Sequence, residues 1–386
     1  MNQRIEVIDT IRGFSLFGIF LVNMLYFSSN YDSNYIIPFL DKGMESFINF
    51  FGTSNFIILF SLLFGVSIVM LQQKIMRNNR SFLSIYFRRM SILIVFGLLH
   101  TIFLWSGDIL LTYGTMGIIL TLFINRKPKT LLVWGSIFFL IFIPIHYPKE
   151  KNDNVSIENT DYERVERKIY EEGSYIDHVQ FRMFDEYSKR KPTSELVEIF
   201  TDALSWGISL LPIFLFGMYI GKKRWLFKLA KHIRTIQKIW IISGSISFSV
   251  KILALITAHP ILVMLNDSTV PLGIAIFYAS SIILLSRYKK STKLFQLMAN
   301  IGKMSITNYL MQSFIATTIF YSYSFDLANK IGFFGAIILA IVIYTLQLTF
   351  STYWLKTFHI GPVEYVWRLG TYLQRPAFKR KLKKVS

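Results

Sequence analysis

Residues 88–127 read RRMSILIVFGLLHTIFLWSGDILLTYGTMGIILTLFINRK. Two apolar runs meet at one polar turn, Ser106-Gly107-Asp108, with Arg88 and Arg89 before the first run and Arg126 and Lys127 after the second. A spanning helix needs about 20 mostly apolar residues, and Lys and Arg concentrate in cytoplasmic loops. The stretch therefore predicts a helical hairpin that starts inside, turns at the far surface and returns.

The rest of the chain extends this pattern. Hydrophobic residues make up 53% of it, 36 of its residues are Phe, and its mean hydropathy is +0.43. That is above the ordinary composition of a soluble domain. Apolar segments qualify as spans at about 11–30, 48–72, 89–106, 109–125, 130–147, 204–221, 238–258, 269–286, 304–322 and 331–355. The expected fold is all-α, a polytopic membrane helical bundle with about ten transmembrane helices and both termini cytoplasmic. Met1 to Asp9 shows no basic stretch followed by a small-residue cleavage site, so the first run reads as a retained helix.

Charge sets the orientation. Lys74 to Arg89, Arg126 to Lys129, Lys222 to Lys238, Arg287 to Lys303 and the tail from Lys356 to Lys384 form basic clusters on one side. Asp32, Asp41, Glu45, Asp108, Asp267 and Asp326 fall on the other. Of 23 acidic residues, 14 lie between Pro148 and Ser205. The segment 148–203 is too polar to span. Irregular helical spacing near 160–172 and 176–190 predicts an external cap, with a disordered loop as the alternative. The net charge of +19 sits at helix ends, where it suits anionic lipid headgroups and not nucleic acid. Cys is absent, which removes disulfides and thiol chemistry. There is no Walker loop, dinucleotide fingerprint or HExxH pair, and nothing calls for a metal.

Polar groups inside lipid-facing helices are costly and usually face the bundle interior. Asp9 and Arg12, three residues apart, share a face and can pair, or Arg12 can face a phosphate. Asn23 is either interhelical glue or an amide that holds a carbonyl or developing oxyanion. His100 lies roughly 16 Å into its helix, counted from Arg89. Its imidazole can act as a general base near neutral pH, or be satisfied by a neighbouring helix. Asp108, just beyond, can orient it or simply form the turn. Asn308 and Gln312, four apart, are helix glue or the lining of a polar channel. Glu364 and Arg368, also four apart, can pair on an interfacial helix.

These residues carry a resemblance. Ile8-Asp9-Thr10-Ile11-Arg12-Gly13 with Gly18 and Asn23, then Leu63-Phe64-Gly65, resembles the N-terminal pattern of the YeiB-like membrane proteins. Arg88-Arg89 through Gly97-Leu98-Leu99-His100, Trp105, Gly107-Asp108-Ile109-Leu110 and Tyr113 is similar to that family's central motif. Ile301-Gly302-Lys303-Met304-Ser305 through Thr307-Asn308-Tyr309 and Gln312-Ser313 resembles its late motif, which more often has Arg in place of Lys303. Gly361-Pro362-Val363-Glu364-Tyr365-Val366-Trp367-Arg368 resembles its C-terminal signature. The matches run from about residue 5 to 370, and 148–203 carries none.

The family is grouped with transmembrane acyltransferases. The resemblance thus implies transfer of an acyl group, acetyl first, from cytosolic acyl-CoA to an acceptor on the far side, such as a cell-envelope glycan or polymer. In the lysosomal heparan glucosaminide acetyltransferase of that group an intramembrane His and a nearby Asn are central; Asn23 resembles that Asn by its place in the first motif, whereas His100 lies in a later helix than that His. The implied site has His100, Asp108 and Asn23 at the reaction centre. Arg12, Arg89, Lys303 and Arg368 hold the CoA phosphates, with Asn308 and Gln312 beside the pantetheine arm. The implied location is a bacterial plasma membrane, among lipids and with a homo-oligomer left open. A transporter or exporter suits the same spans, although no paired Gly/Pro-broken helices mark an inverted repeat. A non-catalytic scaffold is the third reading.

Overall fold

The computed structural model describes residues 3–28, 39–143, 165–166, 168–183, 195–225, 229, 232–288, 292–328 and 330–380. The described residues form helices and the turns between them, with one isolated bridge between Phe358 and Lys379. In chain order the helices are α1 (Gln3–Phe27), α2 (Phe39–Phe51), α3 (Asn55–Arg77), α4 (Phe82–Phe103), α5 (Leu110–Ile119), α6 (Thr121–Ile124), α7 (Pro128–Phe142) and α8 (Tyr175–Met183). Then follow α9 (Glu195–Lys223), α10 (Ile233–Thr257), α11 (Pro260–Ser268), α12 (Val270–Leu285), α13 (Thr292–Lys303), α14 (Ser305–Phe320), α15 (Phe333–Thr357) and α16 (Pro362–Tyr372).

Six stretches are long and apolar enough to cross a membrane, and a seventh counts if α11 and α12, bent by 45°, form one span. Each apolar segment read from the sequence coincides with a helix. However, α5, α7 and α14 have 10, 15 and 16 residues, short of the roughly 20 that cross a bilayer alone. The protein is a multi-pass α-helical membrane protein. Its outward faces show why. Ile246, Leu255 and Ile256 of α10 are 60%, 69% and 75% exposed, and α15 shows Leu346 in the same way. Water would oppose such a continuous apolar belt, whereas acyl chains accept it.

Two buried clusters hold the bundle. The larger joins Ile11 and Leu16 of α1, Leu59 and Leu63 of α3, Met90 of α4, Tyr113 of α5 and Phe214 of α9. The smaller joins Phe20, Met24 and Phe27 of α1 with Trp105, Phe320 and Ala340. Lipid is as apolar as Leu, so close backbone approach and interhelical hydrogen bonds must supply specificity. α1 and α13 provide the clearest case. A Cβ on Gly13 would collide with the Met298 carbonyl, and one on Gly302 with the Asp9 carbonyl. Tyr344 of α15 donates to the Gly13 carbonyl at 2.9 Å.

The described part of the polar segment does two things. Residues from Glu195 onward already belong to α9, so the loop expected to run to 203 ends earlier. α8 lies against the C-terminal end of α4. Arg182 donates to the Ile102 and Leu104 carbonyls at 3.0 and 2.8 Å, and Tyr175 Oη donates to the Phe103 carbonyl at 3.0 Å. A cation at a helix C-terminus is the favourable pairing. His178 is enclosed by Tyr170, Tyr321 and Tyr323, with Nε2 3.1 Å from Ser322 Oγ. Residues 144–164 and 184–194, and with them much of the expected cap, lie outside the described residues, as does Asp32.

Burial, helped by the nearby Arg182 charge and opposed by Asp177, pushes the His178 imidazole down to about 4 from its ordinary 6.5. The docked segment thus prefers the neutral ring. Its contribution is complete above about pH 6.5 and is lost as the pH falls towards 4. The hydrogen-exchange protection of Tyr175–Met183, taken relative to the intrinsic rate at each pH, is therefore expected to fall between pH 6.5 and 4 in the native protein. In His178→Phe, which keeps an aromatic ring without the titrating nitrogen, it should stay flat.

Candidate functional site

Two cavities lie back to back in the bundle. The first, of about 190 Å³, is lined by Arg12 of α1, Ser67 of α3, Arg89 of α4, Lys303 before α14, and Glu364 and Arg368 of α16. The second, of about 780 Å³, is lined by Asn23 of α1, Ser54 before α3, Thr101 of α4, Asp108 before α5, Asp202 of α9 and Tyr321 after α14. One gathers the starts of α1 and α4 with the end of α3; the other gathers the opposite ends. The cavities therefore lie at opposite ends of the bundle; four bases and Glu364 line the first, while three carboxylates and no base line the second. The larger volume falls within the range of about 300–1,000 Å³ usual for small-molecule sites.

In the basic cavity the four sequence-picked bases are together. Arg12 pairs with Asp9 at 2.8 Å, one turn away on α1, as the spacing implies. It also donates to Ser67 Oγ at 3.0 Å and to the Gly302 carbonyl at 3.3 Å. The Arg89 guanidinium lies 3.5 Å from the centre of the Trp367 ring, and Trp367 Nε1 donates to the Arg89 carbonyl at 2.9 Å. Lys303 reaches Asn300 at 3.4 Å. Glu364 does not turn to Arg368, as the spacing suggested. It accepts from the backbone N–H of Ile306 and Thr307 at 2.7 and 3.1 Å and from Thr307 Oγ1 at 2.6 Å. Its charge meets the positive N-terminal end of α14, where unsatisfied N–H groups point. Burial pushes this carboxyl up, opposed by those hydrogen bonds.

At the other end Gly97 sets the geometry. A Cβ there would strike Leu111 N and Cα, so only glycine lets the first turn of α5 lie on α4. Asp108 then faces two ways. Its Oδ2 accepts from Leu111 N at 2.6 Å and caps α5. Its Oδ1 is 2.9 Å from His100 Nδ1 and 3.4 Å from Tyr309 Oη. The His100 and Asp108 side chains are 0% and 1% exposed, so this pair is dry. The Nδ1 contact lies off the N–H axis, and His100 Nε2 has no hydrogen-bond partner among the described residues. Tyr309 completes the group. Its ring is 5.1 Å from the imidazole, and its hydroxyl accepts from Ile109 N at 3.3 Å.

Not every sequence-picked residue joins a cavity. His100 lies behind Asp108 and lines neither. Asn308 and Gln312 also line neither, which removes them from the channel wall expected of them. Gln312 Nε2 donates to Gln347 Oε1 at 2.9 Å, Gln347 Nε2 to the Asn308 carbonyl at 3.0 Å, and Asn308 Nδ2 to Ser351 Oγ at 3.0 Å. They are the glue between α14 and α15. Ser67, Asp202 and the aromatic wall of Tyr26, Trp206 and Tyr321 carry no signal in the sequence, and Tyr309 stands in the late motif without a role of its own. No spacing signals a tyrosine that meets Asp108 from 201 positions away. Among the described residues no three His, Asp or Glu gather in a way that could hold a metal.

Fold and cavities together define a multi-pass helical membrane protein with a basic recess at one end and a larger acidic and aromatic one at the other. A family model described as "Protein of unknown function (DUF418)" matches residues 220–374. The uncharacterized protein YxaH of Bacillus subtilis (strain 168) is 30% identical over 398 aligned residues, covering 99% of this chain and 98% of that protein. An uncharacterized 39.9 kDa protein of Bacillus acidopullulyticus is 26% identical over 96% of this chain and 95% of its own length. The uncharacterized protein YeiB of Escherichia coli (strain K12) is 26% identical over 95% and 96% respectively. The chain belongs to this YeiB-like family.

Replacing Glu364 by Gln keeps the shape but presents an NH₂ to donors that need an acceptor. A buried hydrogen-bond mismatch of this kind costs about 1–3 kcal/mol. Thermal unfolding of the purified Glu364→Gln protein in detergent should show a clear loss of Tm, whereas Arg368→Gln, at an exposed position, should leave Tm within about a degree.

Proposed function

We propose that the protein is an acyltransferase of a bacterial plasma membrane, moving an acyl group, acetyl first, from cytosolic acyl-CoA to an extracytoplasmic acceptor such as an envelope glycan or polymer. One observation carries this reading. Four bases line one recess, Asn23 and Asp108 line the recess behind it, and the two linings touch. On the charge rule the basic recess faces the cytoplasm, where acyl-CoA is made.

Arg12, Arg89, Lys303 and Arg368 supply positive charge for phosphate oxygens; Arg in particular matches them bidentately. The recess accommodates a phosphate-sized group and a thin arm, while the bulky nucleoside stays at its mouth. The apolar wall of Phe60, Phe64 and Leu93 replaces Asn308 and Gln312 as the path of the arm. In the larger recess the acceptor hydroxyl or amine attacks the thioester carbonyl. The new bond to the acceptor forms, the carbon–sulfur bond breaks, and the acceptor's proton ends on the departing thiolate. Asp108, a member of that recess's lining, takes that proton first. His100 is a positioning residue behind it, stabilising whichever form of the carboxyl is present. Asn23, whose amide makes no hydrogen bond within the described residues, offers N–H to the developing oxyanion.

Purified protein in proteoliposomes, given labelled acetyl-CoA and envelope fractions, should transfer label to the acceptor. A positioned base contributes about 10²–10⁴-fold, so Asp108→Asn is expected to lose at least 100-fold in turnover. His100→Ala should lose less and shift the pH profile. Lys303→Ala and Arg368→Ala should raise the acetyl-CoA KM several-fold with turnover retained. No transfer and no acetyl-CoA binding by the wild type would end the enzyme reading, and solute flux without covalent transfer would make the protein a transporter.

A further inference from the structure

Among the described residues the two cavity linings have one member in common, Ile109. It is 6% exposed and stands at the start of α5, directly after Asp108. Its backbone is anchored by the Tyr309 hydroxyl at 3.3 Å. Phe60, Phe64, Leu93 and Tyr113 adjoin it on the basic side, and Ile57 and Thr101 on the other. The charge stays to one side or the other: four bases and Glu364 below, Asp108, Glu166 and Asp202 above. The one residue that both linings share is therefore neutral and branched.

We infer, on the reading that an acyl group passes between the recesses, that the Ile109 side chain is the partition it crosses and the residue that restricts the donor to short, unbranched acyl chains. Ile109 stands at the cap position, ahead of the first full turn of α5, with the start of that helix behind it. Rotation of this side chain opens a passage one side chain wide. The surroundings are aromatic and closely packed, and packed interiors yield little. Each further methylene of a longer chain must therefore displace Phe60, Phe64 or Tyr113. The same partition keeps water from running through the bundle, which protects the thioester from hydrolysis while no acceptor is bound.

The chain contains no cysteine, so an introduced one reacts without background. The full-length protein is reconstituted with known orientation, and a charged, membrane-impermeant methanethiosulfonate is added to one face at a time. Leu71→Cys, in the basic recess, and Thr53→Cys, in the other, report access from their own faces only. The Ile109→Cys thiol is expected to be modified from both faces; modification from one face alone, or from neither, would overturn the partition. Labelling needs no turnover, so it reads the partition even if acyl transfer itself fails, and it does so even if Ile109→Ala accumulates poorly. The chain-length claim is read separately, as the ratio of hexanoyl to acetyl transfer. Ile109→Ala should raise that ratio about tenfold, in line with the discrimination one or two methylenes give in an apolar site, and Ile109→Val should leave it near the wild-type value. An unchanged ratio in Ile109→Ala would remove Ile109 as the chain-length determinant.

Discussion

The Asp108 carboxylate is the interaction on which the rest of the site depends. Lipid offers no hydrogen bonds, so every helix end inside the membrane must find its partners in the protein. Asp108 satisfies the first turn of α5 through Leu111 N and, with its other oxygen, meets His100 on α4. Gly97 makes this possible by letting α5 lie directly on α4. One side chain thus closes the hairpin and sets a carboxylate oxygen beside the imidazole. The cost of burying its charge is offset by these contacts.

This is a repeated device in the molecule. Asp41, buried on α2, accepts from Phe334 N at 2.8 Å and caps the start of α15. Glu364, buried on α16, caps the start of α14. Each of the three carboxylates meets the positive end of a helix dipole, so each is stabilised where an isolated carboxylate would be expelled. Two of the three also line a cavity. Helix capping and site building are one set of interactions here. The bases behave differently. Arg89 is held by the Trp367 face, and Arg12 shares its charge with Asp9. Their recess therefore retains positive charge while each member is kept in place.

Much of this was legible before folding. The helical segments followed from apolar length, and the grouping of Arg12, Arg89, Lys303 and Arg368 on one side followed from the charge rule. The structure then brings these four to one recess. The His100–Asp108 pair was readable because a hairpin places residues eight apart at neighbouring heights. Where the reading went astray, the error was one of direction and not of depth. Asn308 and Gln312 do share a face, but it turns to Gln347 and Ser351 of α15 and not to a channel. Glu364 and Arg368 share a face as well, yet the carboxylate finds better donors in a helix N-terminus than in a solvated guanidinium.

The sequence by itself determined the helices, their count of apolar segments and the side on which the bases lie, because these follow from local hydropathy and charge. Only the tertiary structure decided which polar residues face a cavity and which face another helix. Rotation of a helix about its own axis is set by packing against neighbours far away in the chain: Gly13 against Met298, Gly97 against Leu111, Tyr309 against Asp108. That same packing left Ile109 as the sole residue shared by the two described recesses, an outcome that no periodicity in the chain encodes.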